Sequence, residues 1–384
     1  NDNFTELYGG TTSALGFKSE GTNFTGSLLI GHSTTGTISN AQYNVGVGIN
    51  ALDNLTTGDQ NVAIGYAAGG LLQDGSNNIV IGFGAGDALT SGGNNVAIGS
   101  LALTTEDGHG KNVAIGKSAL ENQNAGADAY NVAIGHEAGQ NVTTGARNTI
   151  VGGLAGDALT VGEKNTAVGY SALSADDTGS NNTAVGHRAL SELNYDGNGY
   201  NTAFGSDAGR KVSTGVQNTV IGALAGDALT TGSDNVVLGY NAMSADDAGG
   251  RNVAVGSHAL HIQNGGSLHV YNIGIGYNAG ASMTNGVQNT IIGGLAGDAL
   301  TTGSSNIAIG YNALSTEDTG DKNVAVGTNA LATLNYDGDG LNVAVGNDAG
   351  RYMTTGIQNV IIGGLAGDAL TTGARNVAIG YNAL

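Results

Sequence analysis

Four pairs of adjacent carboxylates, Glu106-Asp107, Asp176-Asp177, Asp246-Asp247 and Glu317-Asp318, are the residues of this chain best equipped for acid–base chemistry. Two carboxyl groups flanking one bond are what glycoside hydrolysis requires. The pairs, however, recur once in every 70 or 71 residues, and an active site has no use for four copies at equal spacing. Sequence neighbours also point to opposite sides of an extended chain, which separates the two acids of a pair. They read as solvated turns, with a polysaccharide-degrading enzyme kept only as the alternative.

Other polar groupings weaken in the same way. Asp196-Gly197-Asn198-Gly199 and Asp337-Gly338-Asp339-Gly340 offer Asp196, Asn198, Asp337 and Asp339 to calcium. They lack the spaced third acid and closing Glu of an EF-hand loop, so they read as tight polar turns, and no cofactor is expected unless it is calcium there. His258, His261 and His269 gather with Tyr271 around the longest insertion, without metal-ligand spacing. As the least repetitive stretch, this bulge is the candidate for a specific contact. Gly82-Phe83-Gly84-Ala85-Gly86 opens no long helix, and residues 152–159 lack the lysine of a phosphate-binding loop. Both read as turns.

The elements that must position these groups are repeats. Variants of Asn61-Val62-Ala63-Ile64-Gly65 begin at twenty asparagines from Asn44 to Asn376, 17 residues apart except where two or three residues are added before Asn131, Asn201, Asn272 and Asn342. Taking Asn as position 0, position 1 is Val, Ile or Thr and position 3 is Val, Ile, Leu or Phe in every copy. Alternation with small residues at position 2 argues for a strand. Gly at position 4 ends it, Ala at position 7 opens a short second strand, and a polar turn such as Thr56-Thr57-Gly58 closes the unit. A period in this range means a stacked array. The fold class is all-β, a parallel β-solenoid of about 20–22 coils, on the order of 100 Å long at one strand spacing per coil.

Residues 1–43 form an irregular lead-in with degenerate coils at Ser27–Gly31 and, more faintly, Thr12–Gly16; residues 44–384 form the repeat domain. A four-coil rhythm overlies the coils, with position 2 turning bulky at Val80, Ile150, Val220, Ile291 and Ile361. If positions 1 and 3 face inward, position 2 faces outward, and these five residues mark a lengthwise seam between chains. Two or three buried side chains per coil fall short of the entropy cost of ordering it, which is why further burial between copies is expected. The asparagines at position 0, among them Asn61, Asn131, Asn201, Asn272 and Asn342, are expected to stack as an amide ladder.

Composition narrows the partners. Gly is 69 of 384 residues, aromatics are 5%, and Pro, Cys and Trp are absent, which leaves too few large side chains for a thick core. A net charge of −19 argues against nucleic acid and anionic membrane surfaces. No apolar run reaches membrane-spanning length, so this segment is not expected to insert in a bilayer. The chain starts without Met and stops in mid-repeat, as expected of a segment of a longer polypeptide.

Asn61–Gly65 followed by two variable residues and Ala, and forms such as Asn165-Thr166-Ala167-Val168-Gly169-Tyr170-Ser171-Ala172-Leu173, resemble the head repeats of the YadA-like trimeric autotransporter adhesins, which also occur in phage tail fibres. The resemblance spans residues 44–384. It implies a left-handed parallel β-roll in a homotrimer, exposed on a bacterial surface or a phage virion tail, where it contacts a cell-surface glycan or protein. The expected function is structural and adhesive: an extracellular fibre shaft acting by stiffness and multivalent contact, with a glycan-binding module as a further alternative and no enzymatic activity expected.

Overall fold

The computed structural model describes residues 17–21, 24–31, 38–266 and 269–384. It is all-β, with no helix among the described residues. Strand β1 (Phe17–Gly21) runs antiparallel to β2 (Phe24–Ile30), and β2 then pairs in parallel with β3 (Ala41–Gln42) and β4 (Val45–Val47). From there every repeat contributes one three-residue strand at positions 1 to 3, from Val62–Ile64 to Val377–Ile379. With β4 these make twenty coils of a parallel β-solenoid.

The chain divides into two compact units, one of residues 1–187 with 194–198 and the other of 188–193 with 199–384. Within each, successive strands pair in parallel and in register, as in Val62↔Ile79, Ala63↔Val80 and Ile64↔Ile81 of the first unit and Val343↔Val360, Ala344↔Ile361 and Val345↔Ile362 of the second. The degenerate coil at Ser27–Gly31 is present: Leu29 pairs with Gly46 and is buried, and Ser27 Oγ accepts the N–H of Asn44 at 2.8 Å. The fainter one at Thr12–Gly16 lies outside the described residues.

The expected inside and outside are reversed. Position 2 is the buried one, so Ala63, Ala97, Ala114 and the bulky Val80, Ile150, Val220, Ile291 and Ile361 all lie within the coil of a single chain. Positions 1 and 3 face outward, Ile64 at 40% and Phe204 at 57% exposure. These five residues are therefore not an inter-chain seam. The reason is room: the coil is thin, its interior is filled by positions 2, 7, 8 and 11 (Ala63, Ala68, Gly69 and Leu72 in one coil), and a β-branched pair from every strand does not fit there.

Volume also explains the four-coil rhythm. At Val80, Ile150, Val220, Ile291 and Ile361, position 8 is Gly in the same coil and in the one before, whereas Val237 shares its coil with Met243 and has Gly226 only in the coil before. A Cβ added at Gly139 would stand 2.9 Å from Ile150 Cδ1, and one added at Gly86 would stand 2.8 Å from Val80 Cγ1. Conversely, position 2 is Gly at Gly274, where an added Cβ would meet Leu260 Cγ at 2.7 Å. Large and small residues thus trade places at one level of the core.

The second strand expected around position 7 does not form. Left-handed residues at positions 6 and 8, such as Leu101 at φ 59° and Leu103 at φ 51°, break the extended geometry into linked turns. Coil-to-coil backbone bonds still hold this segment, for example Leu103 N–H to Ala119 O at 3.0 Å. Gly at position 4 is required by the stacking itself. Gly65 has φ 134°, and a Cβ there would stand 2.4 Å from the carbonyl oxygen of Gly82 in the next coil.

Candidate functional site

The buried polar groups are built first on the position-0 asparagines, all within the coil wall. Asn44 Oδ1 accepts from both the backbone N–H of Asn61 (2.9 Å) and its Nδ2 (3.0 Å), while Asn61 Nδ2 also donates to Gly75 O at 2.9 Å. The expected ladder is present, but its main rung is side-chain oxygen to backbone N–H. The same link runs from Asn131 to Asn112 (3.1 Å), Asn272 to Asn252 (3.0 Å) and Asn342 to Asn323 (3.3 Å), and Asn201 Nδ2 donates to Gly215 O at 2.9 Å. Each rung satisfies a backbone donor that would otherwise be orphaned in the core.

The paired acids are not solvated turns. The first member of each pair, Glu106, Asp176, Asp246 and Glu317, is fully buried at position 11, where Leu72, Leu89, Leu159, Leu229 and Leu300 stand in other coils. Glu106 Oε1 accepts the N–H of His109 at 3.1 Å and Oε2 that of Ala125 at 3.4 Å. Glu317 accepts from Gly320 (2.8 Å) and Tyr336 (3.3 Å). Asp176 accepts from Gly179 (2.9 Å) and from the backbone of Tyr195. Asp246 accepts from Gly249 (2.8 Å) and from Gln263 Nε2 (2.8 Å). Burial raises all four carboxyls above their ordinary range against the pull of these N–H groups, Asp176 to about 6. The second members, Asp107, Asp177, Asp247 and Asp318, lie nearer solvent than the first.

Sequence reasoning missed these buried acids. The signal was available, because position 11 is apolar in most coils and turns acidic once in four.

The calcium candidates face the preceding coil rather than one another. Asp196 Oδ1 accepts from Thr178 Oγ1 (2.7 Å) and Asn198 Oδ1 from Asn181 Nδ2 (2.7 Å). Asp337 Oδ1 accepts from Thr319 Oγ1 (2.7 Å), and Asp339 Oδ2 pairs with Lys322 Nζ (2.8 Å). Among the described residues, Glu106, Asp107 and His109 bring three potential metal-binding atoms within 4.8 Å of one another. Both Glu106 oxygens are already taken by backbone N–H groups, and the cluster is better described as part of that turn.

The histidine bulge separates into two pairs. His258 and His261 meet edge to face at 5.0 Å, with Tyr240 against His258 and Ser244 Oγ 2.8 Å from His261 Nδ1. His269 lies instead against Tyr271 at 6.0 Å, and the Tyr271 hydroxyl accepts from Arg251 Nη1 at 2.7 Å. Tyr130 repeats that pattern two cycles earlier. Its hydroxyl takes a bond from Lys111 Nζ (2.9 Å), which also pairs with Asp128 at 2.6 Å. Tyr43, Tyr130, Tyr200 and Tyr271 are each about half exposed and stand out from the surface.

Comparison with protein-family models, with curated proteins and with solved structures gives no match. Architecture and buried polar columns define the class: a parallel β-solenoid repeat protein. No helix among the described residues is long and apolar enough to cross a membrane.

Proposed function

We propose that the chain is a structural segment of an extracellular attachment fibre, of a bacterial surface or a phage virion tail, built as a homotrimer of left-handed β-rolls like the YadA-like heads it resembles. The observation that carries this reading is the outward strand face. Within the first unit Ile64, Ile79 and Ile134, and within the second Phe204, Val236, Leu238, Ile307 and Ile362, leave large apolar side chains exposed at positions 1 and 3. In-register pairing lines them up along each unit. A contiguous apolar patch of this kind marks a protein interface, and a repeating self-complementary stripe is best covered by further copies of the same chain under closed symmetry.

In this reading the fibre acts by its stiffness and by multivalent contact of its exposed turns with a cell-surface glycan or protein. The half-exposed tyrosines and the His258/His261 bulge are the contact candidates, since aromatic rings with a polar tip suit such ligands. Light scattering on the full chain after size separation tests the assembly. Three times the chain mass is expected, and a monomer at micromolar concentration overturns it. Binding to an immobilised glycan panel, with a reducing-end assay alongside, separates contact from hydrolysis.

A further inference from the structure

Every coil that carries added residues follows a coil whose position 11 is an acid. Glu106 precedes the insertion before Asn131, Asp176 that before Asn201, Asp246 that before Asn272, and Glu317 that before Asn342. No other coil has an acid at position 11. Geometry gives the cause. The backbone N–H three residues on is held within the acid's own turn (His109, Gly179, Gly249, Gly320). Nineteen residues on, the N–H of Ala125, Tyr195 or Tyr336, inside the inserted loop of the next coil, is held by the same carboxylate. At Asp246 the buried Gln263 side chain takes that second place. A leucine at position 11 offers a backbone N–H nothing.

We infer that Glu106, Asp176 and Glu317 are latches: ionised, each holds a backbone N–H of the inserted loop of the following coil, and protonated, it releases that N–H while the stack stays closed.

The loop-side bond is the one that gives. It measures 3.4 Å at Ala125 and 3.3 Å at Tyr336, against 3.1 and 2.8 Å on the turn side. A proton on that oxygen removes the charge that holds a long bond together. Groups facing each acid are few. Glu106 sees Asp107 and His109, with Lys111 and Asp128 paired outside the same loop. Asp176 sees Asp177 and Asp196, Asp246 sees Asp247 and Gln263, and Glu317 sees Asp318. The core neighbours stacked at position 11 are neutral: Leu89 and Gln123 about Glu106, Leu229 and Gln263 about Asp246, Leu300 and Leu334 about Glu317, and Leu159 beneath Asp176. Burial and the adjacent acid both favour the proton, so each acid releases at a higher pH than an ordinary carboxylate would. The same loops carry exposed Asp128 and Tyr130, Tyr200, and Asp337 and Leu341, so the release lies next to the outer surface and spares the core.

Amide hydrogen exchange on the full chain, at about pH 5 and about pH 8 and corrected for intrinsic rates, tests this. Protection at Tyr195, held by Asp176, is expected to fall about tenfold at the lower pH, and that at Ala125 and Tyr336 to fall in the same direction, while Val113 and Val324 in the strands hold theirs. Glu317→Gln leaves one oxygen for two N–H groups, so Tyr336 is expected to exchange fast at both pH values while Ala125 still switches. Should that variant not fold, the wild-type carboxyl carbon of Glu317 and the amide of Tyr336, followed by NMR, are expected to titrate with one midpoint. Equal protection at both pH values, wild-type protection of Tyr336 in Glu317→Gln, or separate midpoints overturn the proposal.

Discussion

Ile150 fills the space that a side chain at Gly139 would need, with its Cδ1 2.9 Å from where that β-carbon would stand. Gly139 is also left-handed, at φ 57°. Gly139→Ala therefore meets both a steric clash and a backbone penalty, and is expected to destabilise the fold by about 2–4 kcal/mol. Ile150→Ala alone leaves a cavity worth about 2–5 kcal/mol. In the double variant the added methyl enters that cavity, so the two losses are expected to fall short of their sum by about 1 kcal/mol. Urea unfolding of the four proteins measures it, and strict additivity refutes the packing account.

The asparagine column yields a second expectation. Asn78→Ala removes the acceptor for the backbone N–H of Asn95 (2.9 Å) and the donor to Gly92 O (2.9 Å), both inside the wall. Leaving such groups unpaired costs about 1–3 kcal/mol each. Asn78→Ser is expected to lose less, because Ser27 already serves as the acceptor for Asn44 at the start of the stack. Calorimetry of the two variants should rank them in that order.

Mild acid should strengthen the core rather than weaken it. Asp176 has its carboxyl raised from 3.8 to about 6, chiefly by burial, and Glu106, Asp246, Glu317, Asp87, Asp157, Asp227 and Asp298 shift the same way for the same first reason. A raised folded-state value means the folded chain holds the proton more tightly than the unfolded one. The associated stability is fully present below the unfolded value and is lost as pH rises through the folded one, for Asp176 between about 4 and about 6. Asp176→Asn should flatten that window by up to roughly 3 kcal/mol, read from unfolding free energy against pH. A wild-type profile that climbs from pH 4 to pH 6, as paired surface carboxylates give, would contradict the burial assignment.

Inside and outside can be told apart by charge insertion. Leu238→Asp and Phe204→Asp put a carboxylate on the outward face, and are expected to lower the assembled mass while β-structure persists. Ile361→Asp puts one in the closed interior of a single coil, where Ile361 is fully buried, and is expected to abolish folding. Circular dichroism with light scattering separates the two outcomes. The reverse pattern would restore position 2 as the seam.

That reversal shows where sequence reasoning succeeded and where it stopped. Period, strand positions and the glycine at position 4 were legible because Val62-Ala63-Ile64 alternates and Gly65 follows without exception. Alternation fixes two faces but does not say which is inside. The usual habit of burying the larger side chains misleads when the coil is too thin to hold them, and only the packing of Ile150 against Gly139 and Gly156 settles it. Glu106 and Asp176 were hidden for a related reason. Beside a second acid and a glycine they look like surface turns, and their burial depends on neighbours a whole coil away.

The glycine column carries a consequence for how such a chain changes length. Where Gly65 meets Gly82 there is no room for a β-carbon, and the same fit recurs where Gly346 meets Gly363. Top and bottom of each course are thus interchangeable parts, and copying a whole block of coils makes no junction the molecule does not already contain. Growth by duplication leaves every fit intact, whereas altering a single glycine of that column spoils one.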